Sequence, residues 1–564
     1  MLNKIFKKRN YKAIDPDEIF LDSKNLPKFD TNQFEGVIEK PISSSQIVFF
    51  SSFFLLVLFV FIFQAFKMQV INGDYYKKKS DNNRLDSIII FANRGLILDR
   101  SDKLLVWNDN NDGFNFSKRI YATSTGLSST IGYVKYPTKD DKGFYYELDY
   151  TPLSGLEKRY QNILGGKNGM AILETDAFAK ILSSNTLERP TDGRNLKLTV
   201  DKDLQKVWYK TMSDFSQKAG YRGGAGGMMD IKTGEILALV NFPEFDANEM
   251  VSRANPDIVK EYLEDPRNLF LNKFTSGLYT PGSIIKPFVA LGALEKNIID
   301  PNKNIYSSGE LIVPNPYDKD KPSIFKDWKA HGYVDLRRAI AVSSNVYFYQ
   351  ISGGFEDQKG LGITNIEKYL RLFGFGQKTG IDFSQDQDGI IPNPEWKKLV
   401  FDGDLWRVGD TYNTSIGQYG VQITPIQALK AIGALANDGL SVTPTIVLNN
   451  QNMAQQKIDI KQENIKIVKE GMRKTVTEGT AKALNVPYVK ISAKTGTAEL
   501  GVSKSSVNSW IIGFFPSDKP KYAFVLVMEK GKANNQIGAA LVMKDIFDYI
   551  SVSKPEYIKD DIDQ

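Results

Sequence analysis

The sequence predicts a chain of three parts: a single transmembrane helix, a strand-rich module behind it, and an α/β domain in which distant segments close one sheet. Three observations carry this. A run of twenty uncharged residues lies near the N-terminus, short strand-like runs broken by polar turns fill residues 67 to about 195, and beyond them strands, a long helical middle and further strands follow in that order. Strand blocks at both ends of a helical stretch imply that the two ends pair across the domain. At 564 residues the chain exceeds what one hydrophobic core organises, in agreement with several domains.

The apolar run, Ile47 to Phe66, reads IVFFSSFFLLVLFVFIFQAF, and no charge lies between Lys40 and Lys67. Twenty helical residues span roughly 30 Å, the thickness of a bilayer core. A cleavable signal has a shorter apolar region followed by a small-residue cleavage site. Here Lys67-Met68-Gln69-Val70 follows, so residues 47–66 read as a retained anchor. Residues 1–46 mix eight basic with seven acidic residues and read as a solvated cytoplasmic tail. Charge counting within twenty positions of the span points to the opposite orientation, with Lys28 and Lys40 before it against Lys67, Lys77, Lys78, Lys79 and Arg84 after it. Long domains translocate regardless of such charges. Residues 67–564 are placed outside the cytoplasm because of the motifs described below.

Residues 67–195 contain runs such as Leu85 to Phe91 and Gly95 to Asp99 that fit short strands. Leu196 to Asp201 reads as a strand leading into an amphipathic helix begun by Leu204 and Gln205, which sets the start of the next domain, 196–553, with a C-terminal tail at 554–564. Gly223 to Val240 reads as two strands joined by a Lys-Thr-Gly-Glu turn, and strands return from Tyr488 to Met528.

Two absences remove whole classes of chemistry. The chain has no cysteine and one histidine, His331, so Cys nucleophiles, disulfides and a Cys/His zinc site are excluded. A Ser-His-Asp triad has only His331 to draw on, and no serine sits in a G-x-S-x-G elbow. The formal net charge of +6, from 72 basic and 66 acidic residues, gives no basic stripe for nucleic acid.

S-x-x-K occurs three times, at Ser283, Ser323 and Ser551, so a bare match decides nothing. Ser283 differs in its setting: Tyr279-Thr-Pro-Gly-Ser283-Ile-Ile-Lys286 puts the serine after a Pro-Gly break at the start of an apolar helix, with Lys286 on the same helical face. A free serine hydroxyl is a poor nucleophile, and with histidine scarce the neighbouring lysine is the natural proton acceptor. At its usual pKa of about 10.4 that lysine is protonated, so burial and a second nearby cation are the expected companions. A capping serine with a surface lysine is the bland alternative for the same residues.

Ser343-Ser344-Asn345 lies inside RRAIAVSSNVYFYQI, where a small hydroxyl and an amide fit a proton relay and a substrate contact. S-x-N also recurs at Ser23, Ser80, Ser183 and Ser506, so helix-cap or turn chemistry competes with that reading. Lys-Thr-Gly appears at Lys232, Lys378 and Lys494; the first two read as turns. The third, Val489 to Ala498, is strand-like and offers an edge on which Lys494, Thr495, Gly496 and Thr497 meet an extended peptide.

With S-x-x-K, S-x-N and K-T-G-T in that order, the sequence resembles the penicillin-binding proteins and serine β-lactamases. Asn83-Arg84, Arg94-Gly95 with Asp99-Arg100, Gly155 to Tyr160, and Phe242-Pro-Glu-Phe-Asp-Ala-Asn248 resemble pedestal and domain-junction motifs of class B penicillin-binding proteins, over residues 67 to 550. Phe325-Lys-Asp-Trp-Lys-Ala-His331-Gly and Gly409 to Gln418 are similar to the elongation-type group, penicillin-binding protein 2. The resemblance implies a transpeptidase domain with an antiparallel sheet flanked by helices, preceded by an α+β pedestal. It implies Ser283 as acylated nucleophile, Lys286 as general base, and Ser343 with Asn345 as relay and substrate contact. Lys494 and Thr495 then orient substrate, Gly496 lets its backbone come close, Thr497 binds its carboxylate side, and the Ser283 and Thr497 amides form the oxyanion hole.

Several positions depart from the family pattern: Thr280 for proline, Asn272-Lys273 for Asn-Arg, and Gln418-Tyr-Gly for Gln-Gly-Tyr. Some elongation-type relatives are thought to hold a metal with two Asp, a His and a Cys near this region. Asp327 and His331 match part of that pattern but no cysteine exists, so no metal is expected and His331 reads as structural. No cofactor is implied. The implied function is a peptidoglycan D,D-transpeptidase on stem peptides, inhibited by β-lactams, with a SEDS-type glycosyltransferase membrane partner. A D,D-carboxypeptidase, a β-lactamase, or a β-lactam sensor or scaffold acylated without turnover are the alternatives; the long pedestal and the single span argue against them.

Overall fold

The structure is a computed structural model that describes residues 43–77, 85–110, 115–141, 145–175, 181–315, 318, 320–383, 385–449, 454–501, 503–535 and 537–558. Most of the tail expected at 1–46, the motif Asn83-Arg84, the S-x-N sites at Ser23 and Ser80, and residues 559–564 lie outside this set. The chain divides into two compact units, residues 1–86 with 174–180 and residues 87–173 with 181–564.

The first unit holds helix α1, Ser44–Phe66, capped by Ser43, whose hydroxyl accepts from the Gln46 amide while the Gln46 side chain returns to the Ser43 N–H. This reciprocal cap satisfies two of the orphan donors at a helix start. The helix runs on through Lys67–Ile71, closed by an Asn72 N–H to Lys67 carbonyl bond of 2.9 Å. Within the combined span, Ser44–Ile71, the most apolar 18-residue stretch has a mean hydropathy of 2.6 and none of it is buried, as befits a single-pass membrane anchor. It begins three residues before the expected 47–66 and ends five after, because Ser43 and not the first apolar residue supplies the cap.

In the second unit, α2 (Lys202–Ala219) starts at the Asp201 cap and ends at left-handed Gly220. The central sheet has five antiparallel strands: β1 (Gly223–Asp230), β2 (Ile236–Phe242), β3 (Ser492–Leu500), β4 (Ser506–Phe515) and β5 (Tyr522–Lys532), in the order β2-β1-β5-β4-β3. The first and last strand blocks of the domain therefore close one sheet. Alternation along β5 divides the core. Phe524, Leu526 and Met528 join Leu204, Trp208 and Met212 of α2 and Val542, Ile546 and Phe547 of α8 (Ala539–Ser553) on one face. Ala523, Val525 and Val527 face the other way into the larger core, with Leu429 and Ile432 of α6 (Pro425–Ala436). A sheet covered on both faces needs apolar residues at successive positions, which is what β5 provides.

Between the strand blocks lie α3 (Lys286–Glu295), α4 (Leu336–Val342), α5 (Asn345–Gly353) and α7 (Gln462–Thr477). Helix α3 is buried from Lys286 to Leu294 on every side. Such a helix belongs to a core and not to a surface.

In the pedestal, Ile97–Leu98, Leu104–Asp109 and Lys118–Tyr121 form a four-stranded sheet with Leu196–Lys197 from the start of the next domain, and Leu85–Ile90, Gly169–Thr175 and Ile181–Glu188 form a three-stranded one. The motifs that carried the resemblance meet here. Glu157 is fully buried between Arg94 (2.6 Å) and Arg119 (2.9 Å). Burial pushes the Glu157 carboxyl up, but the two guanidiniums override it and hold it below its ordinary range. Asp99 accepts from the amides of Ser101 and Lys103 and from that of Lys202 at the start of α2. Glu244 accepts from the amides of Thr125 and Ser128, and Asn248 pairs with the Tyr121 backbone. These bonds tie the segment after β2 to the pedestal, which explains the polar Phe242 to Asn248 motif.

Candidate active site

The Ser283 turn is fixed from two sides before its chemistry begins. Tyr279 exchanges backbone hydrogen bonds with Ile423, Gly282 N–H donates to the Gly417 carbonyl at 3.0 Å, and Trp510 Nε1 of β4 donates to the Thr280 carbonyl at 3.0 Å. Gly282 has φ +59°, and a Cβ there would lie 2.6 Å from the Thr497 carbonyl, so conformation and space both require glycine. Residues Gly282–Ile285 form a tighter 3₁₀ turn that passes into α3 at Lys286. Ser283 is half-buried while Lys286 is wholly buried.

Ser343 stands at the corner between α4 and α5 with left-handed backbone, φ +61°. That conformation is uncommon for a residue with a side chain and persists only when its surroundings hold it. Ser344 caps α5 by accepting from the Tyr347 amide, and Asn345 opens that helix. The corner thus projects Ser343 and Asn345 together toward α3.

Strand β3 is the sheet edge, and its register sets which way each motif residue faces. Lys494 pairs with Ile512, whose side chain enters the larger core, and Thr495 pairs with Ile511 on the opposite face. Lys494 therefore points inward under the edge. A Cβ on Gly496 would meet the Pro281 carbonyl at 2.7 Å and Ile284 Cγ2 at 2.9 Å, so only glycine lets β3 pack on the Ser283 turn. Thr497 is exposed, and Thr495 Oγ1 shares a 2.5 Å hydrogen bond with Thr480 Oγ1.

Three segments far apart in sequence converge on one oxygen. Ser343 Oγ lies 2.8 Å from Lys494 Nζ and 3.5 Å from Lys286 Nζ. Lys286 Nζ also donates to the Ser343 carbonyl at 2.8 Å and to Asn345 Oδ1 at 2.7 Å, and sits 5.3 Å from the Phe348 ring centroid. Burial lowers the Lys286 pKa to about 7, with the Asp327 charge opposing. Burial first and the Lys286 charge second hold Lys494 well below the usual lysine range. Two ammonium groups sharing one hydroxyl in a dry site repel, so loss of a proton here is favoured.

Among the described residues, the other occurrences of these motifs do not assemble. Ser323 and Lys326 lie on the strand Ser323–Lys326, and Ser551 and Lys554 close the end of α8. Lys232 sits in the β1–β2 turn, Lys378 follows a helix end, and Ser183 and Ser506 lie in strands.

Several neighbours carried no signal of their own in the sequence. Thr480 and Trp510 contact the site only through the fold. Tyr279 packs edge-on against Trp510 beside the buried pair Lys273 and Glu529. The segments at Phe325 and Gly409 touch: the Phe325 ring lies edge-on to Tyr412 at 4.9 Å.

Asp327 and His331 lie close together with both side chains buried. Asp327 Oδ2 already accepts from Ser307 Oγ, Ser344 Oγ and the Val346 amide, and His331 Nε2 is 3.7 Å from Oδ1. Among the described residues, no group of three or more His, Cys, Asp or Glu side chains gathers there or elsewhere. One carboxylate, one imidazole and two hydroxyls do not fit a site of two Asp, a His and a Cys.

The profile of the penicillin binding protein transpeptidase domain matches residues 224–548, and that of the penicillin-binding protein dimerisation domain matches residues 114–198. The first spans more than half of the sequence, and the chain belongs to the penicillin-binding protein transpeptidase family. It is 32% identical over 461 residues to the peptidoglycan D,D-transpeptidase MrdA of Acinetobacter baumannii, covering 76% of this chain and 66% of that protein. Against the MrdA of Haemophilus influenzae it is 26% identical over 613 residues, covering 90% and 91%. Among solved structures, the complex between penicillin-binding protein PBP2 and MreC from Helicobacter pylori matches with a TM-score of 0.69 and 26% identity, covering 84% of this chain and 99% of that one.

Proposed function

We propose that this chain is a membrane-anchored peptidoglycan D,D-transpeptidase of cell elongation that works through an acyl-enzyme at Ser283. The observation that carries the mechanism is the convergence of Lys286 and Lys494 on the Ser343 hydroxyl, with half-buried Ser283 in the turn that leads into Lys286. Ser283 Oγ attacks the carbonyl of the penultimate D-Ala of a stem pentapeptide and gives its proton to neutral Lys286. Two of that amine's N–H bonds go to the Ser343 carbonyl and Asn345 Oδ1, which leaves its lone pair for the proton. The proton then passes to the leaving D-Ala nitrogen through Ser343, and an amine of a neighbouring stem resolves the ester.

The backbone amides of Ser283 and Thr497 form the oxyanion hole, where each donor is worth about 3 to 4 kcal/mol of transition-state stabilisation. Thr497, exposed on the β3 edge, takes the substrate carboxylate; Gly496 lets the peptide backbone approach; Lys494 and Thr495 orient it by strand addition. A β-lactam acylates the same serine. The anchor puts residues 67–564 on the extracytoplasmic face, with 67–195 as pedestal and 196–553 as transpeptidase domain. A SEDS-type glycosyltransferase contacts the anchor and pedestal, and the MreC complex of the Helicobacter pylori neighbour supports reading such a protein as part of an assembly.

The test is labelling of the detergent-solubilised chain with a fluorescent penicillin and location of the adduct by peptide mass. Ser283→Ala abolishes labelling on this reading; an adduct that survives the substitution sinks it. Cross-linked product from a stem-pentapeptide donor and a D-amino-acid acceptor separates transpeptidation from hydrolysis.

A further inference from the structure

We infer that Asp327 is a positioning residue for the acylation step, holding Ser343 and Asn345 in place through Ser344. The inference rests on Ser283 and Lys286 acting as proposed above. Asp327 touches none of the reacting groups, yet its side chain is completely buried directly behind the α4–α5 corner. Its Oδ2 accepts from Ser344 Oγ at 2.9 Å, from Ser307 Oγ at 3.2 Å and from the Val346 N–H at 3.0 Å. Ser344 and Val346 flank Asn345, so one carboxylate oxygen holds both neighbours of the residue that receives a Lys286 hydrogen bond.

The same segment grips the corner at three further points. Trp328 Nε1 donates to the Val342 carbonyl at 3.2 Å, and Asn345 Nδ2 and Tyr349 OH both donate to the Lys326 carbonyl, at 3.4 and 3.2 Å. The corner needs such support because Ser343 between these contacts is held at φ +61°. Ser307 Oγ and Ser344 Oγ are 3.0 Å apart, so the two hydroxyls and the carboxylate form a closed triangle with little slack. A carboxylate accepts only, and it suits a position faced by three donors. An amide with its oxygen in the Oδ2 place turns its NH₂ against the Trp328 backbone N–H, which donates to Oδ1 at 2.9 Å, and turned the other way it presents NH₂ to all three donors on Oδ2.

The experiment measures the noncovalent binding constant and the first-order acylation constant for a fluorescent penicillin on the full chain in detergent, for wild type, Asp327→Asn, Ser344→Ala and the double variant, each with its thermal midpoint. Expected is an acylation constant reduced about tenfold or more in Asp327→Asn with binding changed less than about threefold. Ser344→Ala is expected to lose less, and the double variant no more than Asp327→Asn alone, since coupled residues fail additivity. An unchanged acylation constant in a folded Asp327→Asn, or losses that multiply in the double variant, overturns the inference. Should Asp327→Asn fail to fold, Ser307→Ala combined with Ser344→Ala removes two of the three donors and leaves the carboxylate; an unchanged acylation constant there overturns it equally. Labelling that survives Ser283→Ala refutes the nucleophile instead, so the two failures are distinguishable.

Discussion

Lys494 Nζ donates to Ser343 Oγ at 2.8 Å, joining the edge strand of the sheet to the corner between two helices 151 residues earlier in the chain. Lys286 Nζ approaches the same oxygen from a third element. The site is therefore a junction of a sheet edge, a buried helix and a helix–helix corner, and its properties follow from burying two lysines at that junction.

On the proposed mechanism acylation requires neutral Lys286, whose pKa burial lowers to about 7. The acylation rate constant is expected to rise with pH through about 7 and level off above it. Lys286→Arg places an always-charged group there and is expected to reduce acylation by about 10³-fold or more at every pH. Stopped-flow labelling between pH 5.5 and 9 checks both.

The same burial costs stability. Lys286 is depressed in the folded state, so between about 7 and the ordinary lysine value of 10.5 the unfolded chain binds more protons, and stability rises with pH across that window. Below about 7 both states are protonated and the full penalty applies. Lys286→Met, which fills similar space without the charge, is expected to raise the thermal midpoint at pH 7 while abolishing acylation. Each kcal/mol gained is worth about 2 to 4 °C for domains of 150–250 residues. A lower midpoint contradicts the expectation.

Gly496→Ala is expected to slow acylation by about tenfold or more, because a Cβ 2.7 Å from the Pro281 carbonyl forces the β3 edge off the Ser283 turn. Labelling kinetics at fixed penicillin concentration read this directly, and the thermal midpoint is expected to fall only slightly.

In the pedestal, Glu157→Ala leaves Arg94 and Arg119 buried without their carboxylate. Breaking a buried ion pair from one side costs about 3 to 5 kcal/mol. Chemical denaturation is expected to show a loss of that order, with Ser283 still labelled in whatever fraction remains folded, since the pedestal holds none of the reacting groups.

Much of the site is written locally. The Pro281-Gly282 break, the apolar run after Lys286, the charge-free stretch before Lys67 and the edge-strand pattern at Lys494 are short-range signals of turn, helix, anchor and strand, and the structure has each element at those residues. The scarcity of histidine in the sequence points to a lysine base. What no local pattern contains is which of three S-x-x-K, five S-x-N and three K-T-G matches belong together, since each triplet is compatible with ordinary turn or cap chemistry. The outward turn of Thr495 to Thr480, the closeness of Gly417 to Gly282 and the grip of Asp327 on Ser344 likewise depend on residues brought together from distant positions. Backbone conformation and apolar periodicity are properties of neighbouring residues and so can be read along the chain. The protonation state of Lys286 and the conformation of Ser343 depend on burial and on contacts across the fold, which exist only once the sheet has closed.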